Sequence, residues 1–499
     1  MINSYSTHCK HFRPATFLRI VVRGRHISWQ AWQRLLFLVA LALTGGCATY
    51  QPMPLTLQEV DRTLAIPDVS MLSAAAVALR NPLLRPVPID LQRGLTPDAA
   101  AVLAVLVNPS LRAERDRRAL ASAQLLQAGL LPNPSLDVGV DPVTGGNTVD
   151  TVTGYSIGLS WETTALLTRG AKVAVARAAS QSVRLDVAWK EWQVAQAAKK
   201  AVYDLVALEA QLKEAAAVDQ RLADDAALIR RAVAAYQKTL LDLSAAEAAS
   251  QKAHADRLSI ERDLSHQQLV LHEALGLPPD AAIRVAGELS LPSRLELPSE
   301  RALLTGLEEH RLDLVALRHG YESQDQTLRA AILAQFPRIT LGFHQASDTT
   351  NVHTTGFGVT IDLPIFDRNQ GHIAIERATR QQLFDEYVSR VFEGRSAVAQ
   401  SVIDIRSLAT QIVAAEAAIP ALEQLVRTYR VAVAQHNADI LSYYTAQNDL
   451  AQKRLDVLKL KQQIIENEIA LEIASGTYLP VETRAPATPA RPPIMEGRP

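Results

Sequence analysis

Of all the residues, Cys47 has surroundings that point to the most definite chemistry. It follows Thr44-Gly45-Gly46, which come after an apolar run from Leu35 to Leu43. The segment before that run carries Arg13, Arg19, Arg23, Arg25 and Arg34 and no acidic residue. A basic stretch, a short apolar core and small residues make a secretory leader, since a membrane span needs about 20 apolar residues. Residues 1–46 are thus expected to be a lipoprotein signal peptide, with Cys47 carrying lipid. Thr44 stands where a lipobox usually has Leu, and ordinary cleavage beside an incidental cysteine is the alternative. Cys9 falls inside the leader, so the mature chain has no second thiol for an internal disulfide.

Carboxylates and histidines come next. Asp242 and Asp439 stand where helices restart after a break, the place of an N-capping residue. Repeated in an assembly they would also form a ring that favours cations. Asp137, Asp141, His344 and Asp362 occupy polar positions of alternating segments. His266 and His272 do not share one helical face at ligand spacing, so no metal site and no cofactor is expected. Nor is there a Gly-rich phosphate loop, a nucleophile elbow, or an HExxH or CxxC pair, so the residues describe no enzyme. A net charge of −1 argues against a nucleic-acid partner.

The elements that carry these residues are long. From Gly170 to Gly276 there is no internal glycine or proline. Apolar residues recur at steps of four and three: Val194, Ala198, Ala201, Leu205, Leu208, Leu212, Ala215, Leu222, Ala226, Ile229, Val233 and Tyr236, interrupted by Asp219 alone. This period predicts a left-handed coiled-coil seam. Two hundred residues later Ile405, Leu408, Ile412, Ala415, Ile419, Leu422, Val426, Tyr429, Val433 and His436 repeat it in phase. A fixed offset of this kind marks a tandem duplication. Pro420 lies inside the second long helix and predicts a kink.

Each repeat also contains two segments of period two. Leu136, Val138 and Val140 alternate with Asp137, Gly139 and Asp141; Tyr155, Ile157, Leu159 and Trp161 alternate with Ser156, Gly158 and Ser160. The second copy offers Ile339, Leu341 and Phe343, then Phe357, Val359, Ile361 and Leu363. Strands are expected at about 135–141, 153–161, 338–344 and 356–363. The apolar faces are read as ending in aromatics (Tyr155, Trp161, Phe357), and the polar faces are small. The organisation read from the chain is an extended arm at 47–94, a first repeat at 95–276 with its helical hairpin at 165–276, and a linker at 277–298. A second repeat follows at 299–476 with its hairpin at 371–476, then a disordered Pro-rich tail at 477–499. Each repeat is expected to open with one helix, to about Leu131 in the first copy and over 299–335 in the second.

Four strands cannot close a barrel, and lipid does not tolerate an open sheet edge. Three copies would supply twelve strands. The fold class expected is mainly α with a small β part, a trimeric 12-stranded β-barrel joined to a long α-helical coiled-coil barrel.

Duplication, strand placement and helix lengths over residues 95–476 resemble the TolC outer-membrane factor family. The most specific motif, Leu363-Pro364-Ile365-Phe366-Asp367-Arg368-Asn369-Gln370-Gly371, is similar to that of the branch serving heavy-metal and cation efflux pumps of the resistance-nodulation-division (RND) type. Asn133-Pro134-Ser135-Leu136 also fits the family. The resemblance implies a homotrimer in outer-membrane lipid, extending into the periplasm. A periplasmic adaptor and an inner-membrane RND transporter would be its partners. It implies that the hairpin tips, near 235–242 and 435–442, form the periplasmic mouth. The family often has Gly at this turn; here Asn437 is the expected left-handed residue. Asp137, Asp141, His344 and Asp362 would face the lumen. Heavy-metal export leads over multidrug export or type I secretion, and a lipid-anchored periplasmic coiled coil without a pore is the reading from another class.

Overall fold

A computed structural model describes residues 49–65, 69–79, 84, 87–89, 93–146, 148–287 and 297–477. Cys47, the leader at 1–46 and nearly all of the tail at 477–499 lie outside the described residues. The chain forms two compact units, residues 1–63 and 64–499. In the first, the described residues from Thr49 on are exposed, and helix α1 (Leu57–Leu64) buries no side chain.

The second unit contains α2 (Val69–Ala78), α3 (Pro97–Val107), α4 (Pro109–Gly129), β1 (Ser135–Asp141), β2 (Gly154–Glu162), α5 (Ala165–Ala234) and α6 (Leu240–Leu275). There follow α7 (Glu300–Leu304), α8 (Leu307–His310), α9 (Leu312–Leu333), β3 (Ile339–Ser347), β4 (His353–Ile361), α10 (Gln370–Ala434) and α11 (Ile440–Ser475). At 70 and 65 residues, α5 and α10 are about 105 and 98 Å long. Pro420 sits inside α10, which runs through it unbroken.

Neither opening helix is single. Asn108 ends α3 and caps α4, its Oδ1 accepting from the Ser110 N–H at 2.9 Å, with Pro109 at the first helical turn. The sequence reading missed this break because Asn-Pro interrupts a continuous apolar run. In the second copy Gly306 and Arg311 divide residues 300–333 into three helices. Both breaks serve one purpose. Gly276 (φ +73°) ends α6 directly against Asn108 and Pro109, and Gly476 (φ +68°) ends α11 against Arg311. Each returning helix is thereby seated on the kink of its own repeat.

The predicted seam is buried where it should be: Ala198, Ala201, Leu205, Ala215, Leu222 and Ala226 on α5, Ile405 and Ile412 on α10. It fails at its last members, since Tyr236 and His436 have left their helices and are exposed. Helix α5 packs on α6, and α10 on α11; α11 also lies along α5, joining the two hairpins side by side.

The strands form one antiparallel sheet, ordered β1-β2-β3-β4, so β2 and β3 join the repeats. Strand β4 begins at His353, three residues before the position expected. Phe357 is therefore mid-strand, 5.3 Å from the Phe343 ring, and not a terminal aromatic. Tyr155 keeps its end position, near the His353 ring at 6.5 Å. Trp161, near the other end, donates its Nε1–H to the Pro132 carbonyl at 2.9 Å.

Candidate functional site

Two regions carry the expected functional residues: the sheet and the hairpin tips. On the sheet, Leu136, Leu159, Phe343 and Phe357 lie in one cross-strand row, and Val138 and Ile157 in the next. Their face is bare. Val138 is 67% exposed, Val359 61% and Phe357 87%. A continuous apolar face of this kind is not left in water without reason. Strands β1 and β4 are both edges, each with an unpaired row of backbone donors and acceptors.

The opposite face is polar and shallow. Asp137, Gly158, His344 and Gly356 share one row across all four strands. Glycine makes the room: a Cβ at Gly356 would meet His344 Cε1 at 2.5 Å, and one at Gly139 would meet the Ser156 Oγ at the same distance. Asp141 lies at the loop end, opposite Gly154. Asp362, one residue beyond β4, pairs with the Arg338 Nε at 3.0 Å. Alternation alone placed these residues; the glycine cradles and the Arg338 pair were not read from it.

The motif at 363–371 is the turn from β4 into α10. Asp367 Oδ1 accepts from the Asn369 N–H at 2.8 Å, and Gln370 Oε1 from the Arg368 N–H at 2.7 Å. Gln370 Nε2 donates to the Phe366 carbonyl at 3.2 Å. Asn369 takes the left-handed conformation (φ 61°), and its Nδ2 donates to the Ala331 carbonyl at the end of α9. Pro364 precedes this turn and Gly371 lies in the first turn of α10. Phe366 is 92% exposed. The motif sets the direction in which a long helix leaves the sheet.

At the tips the two hairpins turn alike. Tyr236 and His436 take positive φ, 60° and 58°. The N–H of the following residue, Gln237 or Asn437, returns to the carbonyl of Ala232 or Ala432 at 2.8 Å. This six-to-one closure is the Schellman motif, whose left-handed residue is the one before the returning N–H. Asn437 supplies that N–H, so the left-handed residue is His436 and the expectation for Asn437 is corrected. A bulky Tyr in this conformation is rare, and Tyr236 is 98% exposed.

The two tip aspartates differ. Thr239, not Asp242, is the N-cap of α6. Asp242 is the third helical residue and closes a capping box, accepting from the Thr239 N–H at 2.9 Å while the Asp242 N–H donates to Thr239 Oγ1 at 3.1 Å. The Thr239 backbone N–H, then the Thr239 hydroxyl and the charges of Lys238 and His436, hold the Asp242 carboxyl below its usual 3.8. A depressed carboxyl contributes stability above its unfolded pKa, and that contribution fades as pH falls below about 4. Asp439 is the N-cap of α11 but makes no capping hydrogen bond with its side chain. The tips also approach each other, since the charge of His436 reaches Asp242.

One group of residues went unread in the sequence. Just above the tips, Arg221 donates to Gln447 at 3.4 Å, Gln447 to the Tyr443 hydroxyl at 2.8 Å, and Tyr443 to Asp225 at 3.4 Å. Burial is the first cause that pushes the Asp225 and Tyr443 pKa values up. This network ties α5 to α11 across the repeats. Polar residues inside an apolar seam were its only trace in the sequence.

Residues 303–477 match the outer membrane efflux protein family. The chain is 26% identical over 388 residues to the cobalt-zinc-cadmium resistance protein CzcC of Cupriavidus metallidurans, covering 77% of this chain and 90% of that one. The chain belongs to the outer membrane efflux protein family. Its fold is that of the solved structures of CusC (TM-score 0.66, 19% identity, 80% of this chain and 99% of that one) and of the outer membrane protein VceC from Vibrio cholerae (0.65, 19%, 76% and 96%). Both are TolC-like channels with a helical barrel and a β part. The first repeat lies outside the family match, yet it builds the same strand pair and helical hairpin as the second. Members of this family are transport ducts and not enzymes. Among the described residues no helix is long and apolar enough to cross a membrane.

Proposed function

We propose that this outer membrane efflux protein is the exit duct of a tripartite pump and that its cargo is a heavy-metal cation. The duct reading is carried by the sheet, whose apolar face is bare and whose two edges are unpaired. Three copies pairing β4 of one with β1 of the next would remove every edge, give a twelve-stranded barrel, and bring the polar row of Asp137 and His344 to the lumen. Asp141 and Asp362 would then mark the two ends of that lumen. The long hairpins would extend the duct into the periplasm, where an adaptor and an inner-membrane RND transporter would meet it. Lipid on Cys47 would anchor the chain to the outer membrane.

The metal reading is supported by the printed function of CzcC and by the motif from Pro364 to Gly371. Metal ions would be cargo here, held nowhere tightly; among the described residues no group of three or more His, Cys, Asp or Glu could hold one. Deleting the chain should lower the tolerated concentration of cobalt, zinc or cadmium several-fold while leaving tolerance to dyes and detergents unchanged. Sensitivity to dyes with metal tolerance intact would assign the duct to multidrug export.

The tips would form the gate, with Asp242, Asn437 and Asp439 at the mouth and the Arg221–Gln447–Tyr443–Asp225 network holding the hairpins together. Asp439, with no capping hydrogen bond from its side chain, is free to act through its charge. Asp439→Ala should therefore lower cation selectivity by about twofold or more in planar-bilayer recordings, three carboxylates being lost at one level. An unchanged reversal potential would remove Asp439 from the mouth.

A further inference from the structure

A second polar group lies far from the tips, where α3, α5 and α11 meet. Lys199 is 4% exposed and Glu472 2%, with Lys199 Nζ 3.4 Å from Glu472 Oε2. On the other side Lys199 stands 3.8 Å from Asp98 of α3. Gln196 Nε2 donates to Glu472 Oε2 at 2.8 Å. Glu468, one turn before Glu472 on the same face of α11, completes the cluster, and Tyr203 of α5 lies against all three carboxylates. One lysine thus faces three carboxyl groups in a largely dry place.

Neighbouring charges do not correct the excess. Lys200, one residue on, already pairs with Asp204 at 2.7 Å and Glu466 at 2.8 Å. Among the described residues the charges that reach Glu468 are those of Glu472 and Lys199. An independent observation marks where a proton would be useful. Gln196 Oε1 is buried and accepts no hydrogen bond, although the amide nitrogen beside it touches Glu472. A carboxylate cannot donate to it; a carboxylic acid can.

We propose that Asp98, Lys199, Glu468 and Glu472 form a proton-operated clamp between the two repeats, closed when the Glu468–Glu472 pair holds one proton and loosened when both are ionised. Two carboxylates in contact titrate as a pair, so the proton is shared. Burial first, and the charge of Glu472 second, push the Glu468 carboxyl up to about 7, with Lys199 opposing. A carboxyl raised in the folded state contributes stability at low pH, lost as pH rises from the ordinary 4.5 to about 7. Acidification of the periplasm would tighten the joint between α5 and α11, and neutral to alkaline conditions would relax it. The clamp acts on the joint whatever the cargo, so it stands apart from the metal reading.

The test uses the full-length protein in mild detergent and its thermal midpoint between pH 5 and 8.5. The wild type should lose stability from pH 5 to 7, the equilibrium for separating the repeats rising by up to tenfold per pH unit within that window. Glu468→Gln, which fixes the neutral form, should remove most of this dependence and raise the midpoint at pH 8. A variant with the wild-type pH profile would overturn the clamp. Should the variant not assemble, hydrogen exchange of the wild type decides. Amides of residues 464–475, corrected for intrinsic exchange, should lose protection between pH 5.5 and 7.5, and constant protection would overturn it equally.

Discussion

Val138→Arg should abolish the heat-resistant association of copies that the wild type shows on mild-detergent gels. Val138 is the central residue of β1, on the bare face beside Ile157. If that face meets hydrocarbon, a buried cation there costs about 2–4 kcal/mol in each copy, and three copies multiply the penalty. Asp137→Asn, one residue away on the polar face, should leave association intact. The contrast between neighbours is the informative part, because a soluble sheet would tolerate both changes. Normal association of Val138→Arg would mean that lipid is not on that face.

Gly276→Ala should destabilise the first repeat by roughly 2–5 kcal/mol. The left-handed conformation alone costs an L-residue about 1–2 kcal/mol, and forcing a methyl into a filled site adds about 1–3. The methyl would stand 2.5 Å from Asn108 Cα and from Pro109 Cδ, atoms of a helix break that cannot yield. Gly170→Ala is the matched control. It lies inside α5 with nothing within 4 Å, so alanine there should stabilise by about 0.5–1 kcal/mol. Denaturant unfolding of the two variants checks both signs. Equal stability of Gly276→Ala and the wild type would show that α6 does not rest on the kink.

These two glycines also show what the sequence could reveal. The long helices were legible because their period is written in dozens of residues, from Val194 to Val233 and from Ile405 to Val433. The strands were legible from alternation, although β4 started three residues earlier than its apolar positions indicated, because Thr354 and Thr355 pair as well as valine would. The breaks at Asn108 and Arg311 were not, since their cause lies in Gly276 and Gly476, some 165 residues away in the chain. The same applies to the tips. Local preference favoured Asn437 for the left-handed position, whereas the hydrogen-bond closure onto Ala432 assigns it to His436. The clamp of Lys199 and Glu472 and the network of Tyr443 and Asp225 pair residues more than 200 positions apart. No spacing rule finds such pairs.

The capping box at Thr239 and Asp242 and the self-bonded turn at Asp367 to Gln370 explain why two expected functional groups are structural first. Asp242 aligns the start of α6, and the motif aligns the start of α10. A duct of this length depends on such turns, because a few degrees of error at the sheet become several ångströms at a tip roughly 100 Å away. Asp439 is the counterexample: a cap position whose carboxylate makes no capping bond.

Native mass in a mild detergent tests the central claim most directly, because everything about the duct follows from sheets completed by neighbouring copies. Particles of three chains are predicted, stable without cross-linking and conducting ions when placed in a planar bilayer. Particles of one chain, with β1 and β4 still unpaired, would contradict it.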